Sequence, residues 1–186
     1  MAVREALLGI LTLGPAYGLQ LHAELGARAP HRAKTNVGQV YGTLDRLTSA
    51  GLVMHHGLTE DGLPLYALTD SGRDEANNWL CGATVTSLPE WADLQDMVLI
   101  SSSVHKVHAT ALIQNLKSYL RNDEEETDIT PARRLHAKAT VRYHEAVTNW
   151  LADVSASDVQ EQPHYSLGRP KRGRPAKVSA GARQLY

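Results

Sequence analysis

The chain has 186 residues, one cysteine and a formal net charge of −1. That length allows a real hydrophobic core, either in one domain or in a small domain with a helical module appended, and a lone Cys81 excludes an internal disulfide framework and a cysteine zinc cluster. The near-neutral total hides an asymmetry, because residues 1–81 carry six Lys/Arg against eight Asp/Glu, residues 82–162 carry seven against twelve, and residues 163–186 carry six against none. The start, Val3-Arg4-Glu5-Ala6-Leu7-Leu8, does not read as a signal peptide, and no stretch approaches the roughly 18 apolar residues of a membrane span. A soluble, cytoplasmic protein is expected.

Val3, Ala6, Leu7, Ile10, Leu11 and Leu13 fall at helical spacing and predict a first helix over 3–13. Gly14-Pro15 ends it, and Leu19, Leu21, Leu25 and Ala29 predict a second over 16–28. Pro30 to Thr35 is polar and turn-like. Asn36 is placed to cap a third helix, in which Val37, Val40, Leu44 and Leu47 recur at three- and four-residue steps until Gly51. Leu52-Val53-Met54-His55-His56, a polar Thr59 to Gly62, and Leu63 to Leu68 then form a β-hairpin signature. Thr69-Asp70-Ser71-Gly72-Arg73 caps a fourth helix bearing Ala76, Trp79 and Leu80, which Gly82 stops.

After a connector over 83–90, two helices are expected over 90–101 and 104–122, with Ser101-Ser102-Ser103 as the break. The run Asp123-Glu124-Glu125-Glu126 reads as a solvated helix end or loop. Pro131 opens a long last helix whose Leu135, Ala139, Tyr143, Val147, Trp150, Leu151 and Val154 trace one apolar face, and a stripe of that length needs a partner. From about residue 156 periodicity is lost, and the chain reads as a disordered basic tail. The fold class expected is therefore mainly α: a winged helix-turn-helix of three helices plus a β-hairpin wing over 1–82, a helical dimerisation module over 89–155, and a tail over 156–186.

Several motifs in this order resemble the successive signatures of PadR-family transcriptional regulators. They are Leu7-Leu8-Gly9-Ile10-Leu11, Gly14-Pro15-Ala16-Tyr17-Gly18-Leu19-Gln20-Leu21, Gly38-Gln39-Val40-Tyr41-Gly42-Thr43-Leu44-Asp45-Arg46-Leu47, Ala50-Gly51-Leu52-Val53 and Tyr66 to Arg73. The resemblance covers about 80 residues, and Gly42 departs from it by standing where the family often has proline. It implies a repressor that binds a pseudo-palindromic operator as a homodimer, places Tyr17 and Tyr41 near the DNA backbone, and suggests a small aromatic effector. The faces expected to make the dimer are Leu94, Met97 and Val98 together with Tyr143, Val147, Trp150, Leu151 and Val154, with an intramolecular helical bundle as the competing reading. Trp79, Trp91 and Trp150, with Tyr119 and Tyr143, are the candidate lining of an effector pocket.

On the third helix the apolar face leaves Asn36, Gln39, Thr43 and Arg46 pointing outward. Glutamine can pair with an adenine edge, and arginine with guanine or phosphate. Arg32 and Lys34 precede the helix as phosphate contacts, whereas the wing carries two acids at its turn and no Lys or Arg, so its contact with DNA is expected to be weak. In the tail, Lys171-Arg172-Gly173-Arg174-Pro175 resembles an AT-hook core, in which Arg172 and Arg174 would lie in a narrow A·T minor groove. A generic basic tail bound only to phosphates is the competing reading. His105 with His108, and His136 with His144, have helical spacing but no carboxylate or cysteine arranged beside them, so no metal is expected. No nucleophile elbow, phosphate-binding glycine loop or paired-carboxylate site sits in a suitable context, so neither an enzyme nor a cofactor is expected. The alternative function is a protein-interaction winged helix in which the tail alone binds nucleic acid.

Overall fold

The structure is a computed structural model that describes residues 2–120, 130–157 and 161–165. In chain order the elements are α1 (Ala2–Leu11), β1 (Ala16–Tyr17), α2 (Gly18–Arg28), a single 3-10 turn (Pro30–Arg32), α3 (Val37–Ser49), β2 (Val53–Leu58), β3 (Pro64–Leu68), α4 (Asp70–Leu80), α5 (Trp91–Val104), α6 (Lys106–Tyr119) and α7 (Pro131–Ala156). The molecule is mainly helical, with one three-stranded antiparallel sheet in the order β1-β3-β2. No described helix is long and apolar enough to cross a membrane.

Leu7, Leu8, Ile10 and Leu11 of α1 are almost wholly buried and form the centre of the first core, which Leu21 and Leu25, Val40, Leu44 and Leu47, and Leu80 close from α2, α3 and α4. Side chains three and four apart on each helix supply it, which is why the periodicity is readable. Asn36 caps α3, its side-chain oxygen accepting from the Gly38 N–H at 2.7 Å. Thr69 caps α4 in the same manner through the Gly72 N–H at 3.1 Å, and donates its own hydroxyl to the Gly51 carbonyl at 2.7 Å. Ser71 reaches that same carbonyl at 3.2 Å. The Thr-Asp-Ser-Gly-Arg motif thereby ties the start of α4 to the end of α3.

Two features of this part differ from expectation. The wing has a third strand, β1, pairing Ala16 with Tyr66 and Tyr17 with Leu65; two residues after a Gly-Pro turn are too short to show alternation. The serine triplet does not break α5. Ser101 is fully buried against α4 and donates to the Leu80 carbonyl at 2.8 Å, so the hydroxyl is satisfied inside the helix, and the break falls at His105, whose φ of −153° is extended.

A second core joins Leu94, Met97 and Val98 of α5, Leu112 and Leu116 of α6, and Val147 and Leu151 of α7, with Tyr143, Trp150 and Val154 packed on its edge. The residues expected to make the dimer surface meet here within one chain. Leu94, Met97, Val98, Val147 and Leu151 are buried within their own chain, because the α7 stripe folds back onto α5 and α6. What remains open on α7 is its first half, where Leu135 is 69% and Val141 46% exposed. The acidic run Asp123–Glu126 lies outside the described residues. Beyond α7 the sequence predicts no structure, yet residues 161–165 lie against α2, with the Gln162 N–H donating to the Ser103 carbonyl at 2.8 Å.

Candidate nucleic-acid interface

Burial of Val40, Leu44 and Leu47 fixes the rotation of α3 and leaves Gln39, Gly42, Asp45 and Arg46 on the open side. Arg46 folds back along the helix, with Nε donating to the Gly42 carbonyl at 3.0 Å and Nη2 to the Thr43 hydroxyl at 2.9 Å. Its guanidinium is thus held at the middle of the exposed face while retaining free N–H groups.

Four of the candidate residues sit differently from the expectation. Thr43 is 3% exposed and does not point outward; its hydroxyl donates to the Gln39 carbonyl at 2.8 Å and supports Arg46, because it lies on the edge of the apolar stripe next to Leu44 and Leu47. Tyr17 is 4% exposed, since its place in β1 points its ring inward. Tyr41 is half-buried and its ring lies over Gly18, where an added Cβ would come 2.5 Å from the ring, which gives the Tyr-Gly turn at the start of α2 a physical reason. Arg32 is no free phosphate ligand: its Nε lies 3.1 Å from both oxygens of Asp96 and its Nη2 2.7 Å from Oδ2. Lys34 and Asn36 remain exposed, the latter with its side-chain oxygen engaged in the cap. Arg172 and Arg174 lie outside the described residues.

A concavity of about 600 Å³ opens beside this face, lined by Arg4, Arg32, Gln39, Thr43 and Arg46 together with Asp93 at the start of α5. Three guanidiniums against one lining carboxylate make it a cationic recess, although Arg4 is also bonded to Glu75 and Arg32 to Asp96. Hydrogen bonding to those acids raises the pKa of both arginines, so neither loses its charge. Sequence reasoning missed Arg4 and Asp96. Nothing singles out Arg4 in the sequence, but an acid inside Leu94-Gln95-Asp96-Met97-Val98 is a signal of a buried charge pair.

Residues 7–78 match the family model described as the transcriptional regulator PadR-like family. This segment is similar to PadR-like regulators. The match runs from the middle of α1 to near the end of α4 and takes in the wing and the whole of the α3 face. Among solved structures, the chain is similar to one titled crystal structure of Bacillus subtilis PadR in complex with operator DNA, at 20% identity and a TM-score of 0.41, over 81% of this chain and 96% of that one. No curated protein matches the sequence.

The tryptophans expected to line an effector pocket do not share one pocket. Trp91 packs on Trp150 at 5.2 Å and on Tyr143 at 6.3 Å between ring centres, as edge packing of the second core. Trp79 lines a separate cavity of about 350 Å³ with Val85, Pro89, Met97 and Asp96. Tyr119 and Tyr143 spend their hydroxyls on the carbonyls of Val85 and Pro89, fastening the connector. Among the described residues no group of three His, Cys, Asp or Glu is arranged to hold a metal.

Proposed function

We propose that the chain is a DNA-binding transcriptional regulator, acting in the cytoplasm as a repressor, in which α3 enters the major groove and presents Gln39 and Arg46 to base edges while Lys34 and Asn36 meet the backbone at its start. The observation that carries this reading is the rotation of α3. Its buried Val40, Leu44 and Leu47 leave a polar strip bearing Gln39 and the guanidinium of Arg46, on a segment similar to PadR-like regulators. Regulators that read two half-sites work as symmetric dimers, and here the exposed first half of α7, bearing Leu135 and Val141, is the surface a second copy covers. A small aromatic effector fits the Trp79 cavity, which lies between the first core and α5 and so acts on the angle between them.

The test is selection of binding sequences from a random duplex pool by the full chain and by a Gln39→Ala, Arg46→Ala variant. A consensus that is recovered by the first and degraded by the second supports major-groove reading. Equal, sequence-indifferent binding by both moves the function to the protein-interaction alternative, with the tail holding nucleic acid.

A further inference from the structure

Glu24 and Arg28 lie one turn apart on α2 and both face inward, with side chains 0% and 2% exposed and a contact of 2.8 Å. A guanidinium so buried must place its remaining N–H groups on acceptors, and the charge is costly unless it does. Nη1 donates to the Ser103 carbonyl at 3.0 Å, and Nη2 to the carbonyls of Gln162 at 3.3 Å and His164 at 3.0 Å. Ser103 stands in the last turn of α5, where carbonyls have no helical donor, and its oxygen also accepts from the Gln162 N–H at 2.8 Å. Tyr165 packs on the first core and donates its hydroxyl to the Gly14 carbonyl at 2.5 Å, which pins the far end of residues 162–165 just before α2. Arg28 thus closes the C-terminal end of α5, and residues 162–165 hold it there.

The two cores share α5, which gives Ile100 and Val104 to the first and Leu94, Met97 and Val98 to the second. Apolar contact is non-directional, and by itself it lets packed helices roll or slide on one another. Polar contacts fix α5 at two separate points. Arg32 holds Asp96, and Arg28, one turn earlier in the winged part, holds Ser103, so the points lie seven residues, or about 10 Å, apart along α5. We propose that Arg28 and residues 162–165 form a second joint which, with the Arg32–Asp96 pair, fixes the angle of α3 against the core built from α5, α6 and α7. Arg28 and Tyr165 are then positioning residues: they touch no base, but they set the separation at which two copies of α3 meet DNA. The joint acts through α3 and so rests on the reading of α3 as the DNA-contacting helix of a dimer.

The experiment selects from duplex pools in which two half-sites are separated by every spacing around one DNA turn, using the full chain with and without Tyr165→Ala. A second full-length variant, with residues 161–165 replaced by Gly and Ser, admits water to Arg28 and keeps the test valid if Tyr165→Ala does not fold. The unaltered chain is expected to recover one spacing, and the variants to lose that preference and recover neighbouring spacings with the half-site sequence unchanged. Retention of the single spacing overturns the joint, as does a half-site sequence that degrades along with it, which marks a merely structural role. An unaltered chain that recovers no paired half-sites defeats the operator reading instead, and the joint is then decided without DNA. Spin labels at Ser49→Cys on α3 and Gln114→Cys on α6, both exposed, report the distance between the two parts in a Cys81→Ser chain diluted with unlabelled copies. A distance distribution that is wider in the variants supports the joint, and an unchanged one overturns it.

Discussion

Arg32 and Asp96 form the charged joint between the two cores, the guanidinium spanning both carboxylate oxygens of an aspartate whose side chain is 1% exposed. His31 adds Nε2 to the same carboxylate at 2.9 Å. The turn that precedes α3 is thereby bolted to α5. Because Asp96 is the buried partner and Arg32 keeps some access to water, the two deletions are unequal. Arg32→Ala is expected to cost about 3 kcal/mol and Asp96→Asn about 1–2 kcal/mol in denaturant unfolding, the first leaving a carboxylate buried with only a histidine beside it. Equal small losses would show the joint to be solvated.

The close approach of α4 to the end of α3 sets a second expectation. A Cβ at Gly72 would lie 1.9 Å from the Leu52 carbonyl oxygen, so Gly72→Ala must move backbone and is expected to cost about 3 kcal/mol or more in unfolding free energy. At Gly18 the obstacle is the Tyr41 ring, which can turn aside, so Gly18→Ala is expected to cost about 1–2 kcal/mol and to alter DNA binding through the displaced tyrosine. A thermal melt of each variant separates the two.

Much of this is legible in the sequence, and the limits have physical causes. Helical stripes and caps announce α1 to α4 because burial there is one-sided and repeats every three or four residues. The outward face of α3 is read correctly at Gln39 and Arg46 but not at Thr43, whose short hydroxyl can satisfy itself on the helix and so tolerates burial. Periodicity shows that the α7 stripe needs a partner, but an apolar face does not say which surface covers it, and α5 and α6 of the same chain do. Arg32, Arg28 and Tyr165 take roles from residues 64 to 151 positions away, which no local pattern encodes.

The two halves of α7 should respond differently to substitution. Leu151→Ala removes a wholly buried side chain and is expected to destabilise the fold by about 2–5 kcal/mol. Leu135→Asp lies on the exposed half and is expected to leave the monomer's fold intact while weakening self-association, read by static light scattering across a dilution series. Unchanged association would remove that half of α7 from the dimer surface.

Acidification provides a further check. Burial, and then the neighbouring His105 ring at 4.6 Å, hold His108 below the ordinary histidine range. The unfolded chain protonates that residue near pH 6.5 while the folded chain resists, so its contribution is complete above about pH 6.5 and is lost as pH falls below it. The melting temperature should drop on acidification, and the drop should be smaller in His108→Gln. An identical pH profile in the variant would assign the loss to other groups.

The claim that α3 reads DNA is tested most directly by an electrophoretic mobility shift on duplex carrying the selected consensus, comparing the chain ended after residue 165 with the same chain bearing Gln39→Ala and Arg46→Ala. The account predicts a discrete, competitor-resistant complex from the first, and from the second a loss of discrimination worth about 1–3 kcal/mol per base contact removed. A shortened chain that forms no specific complex, or a variant that keeps it, would contradict it.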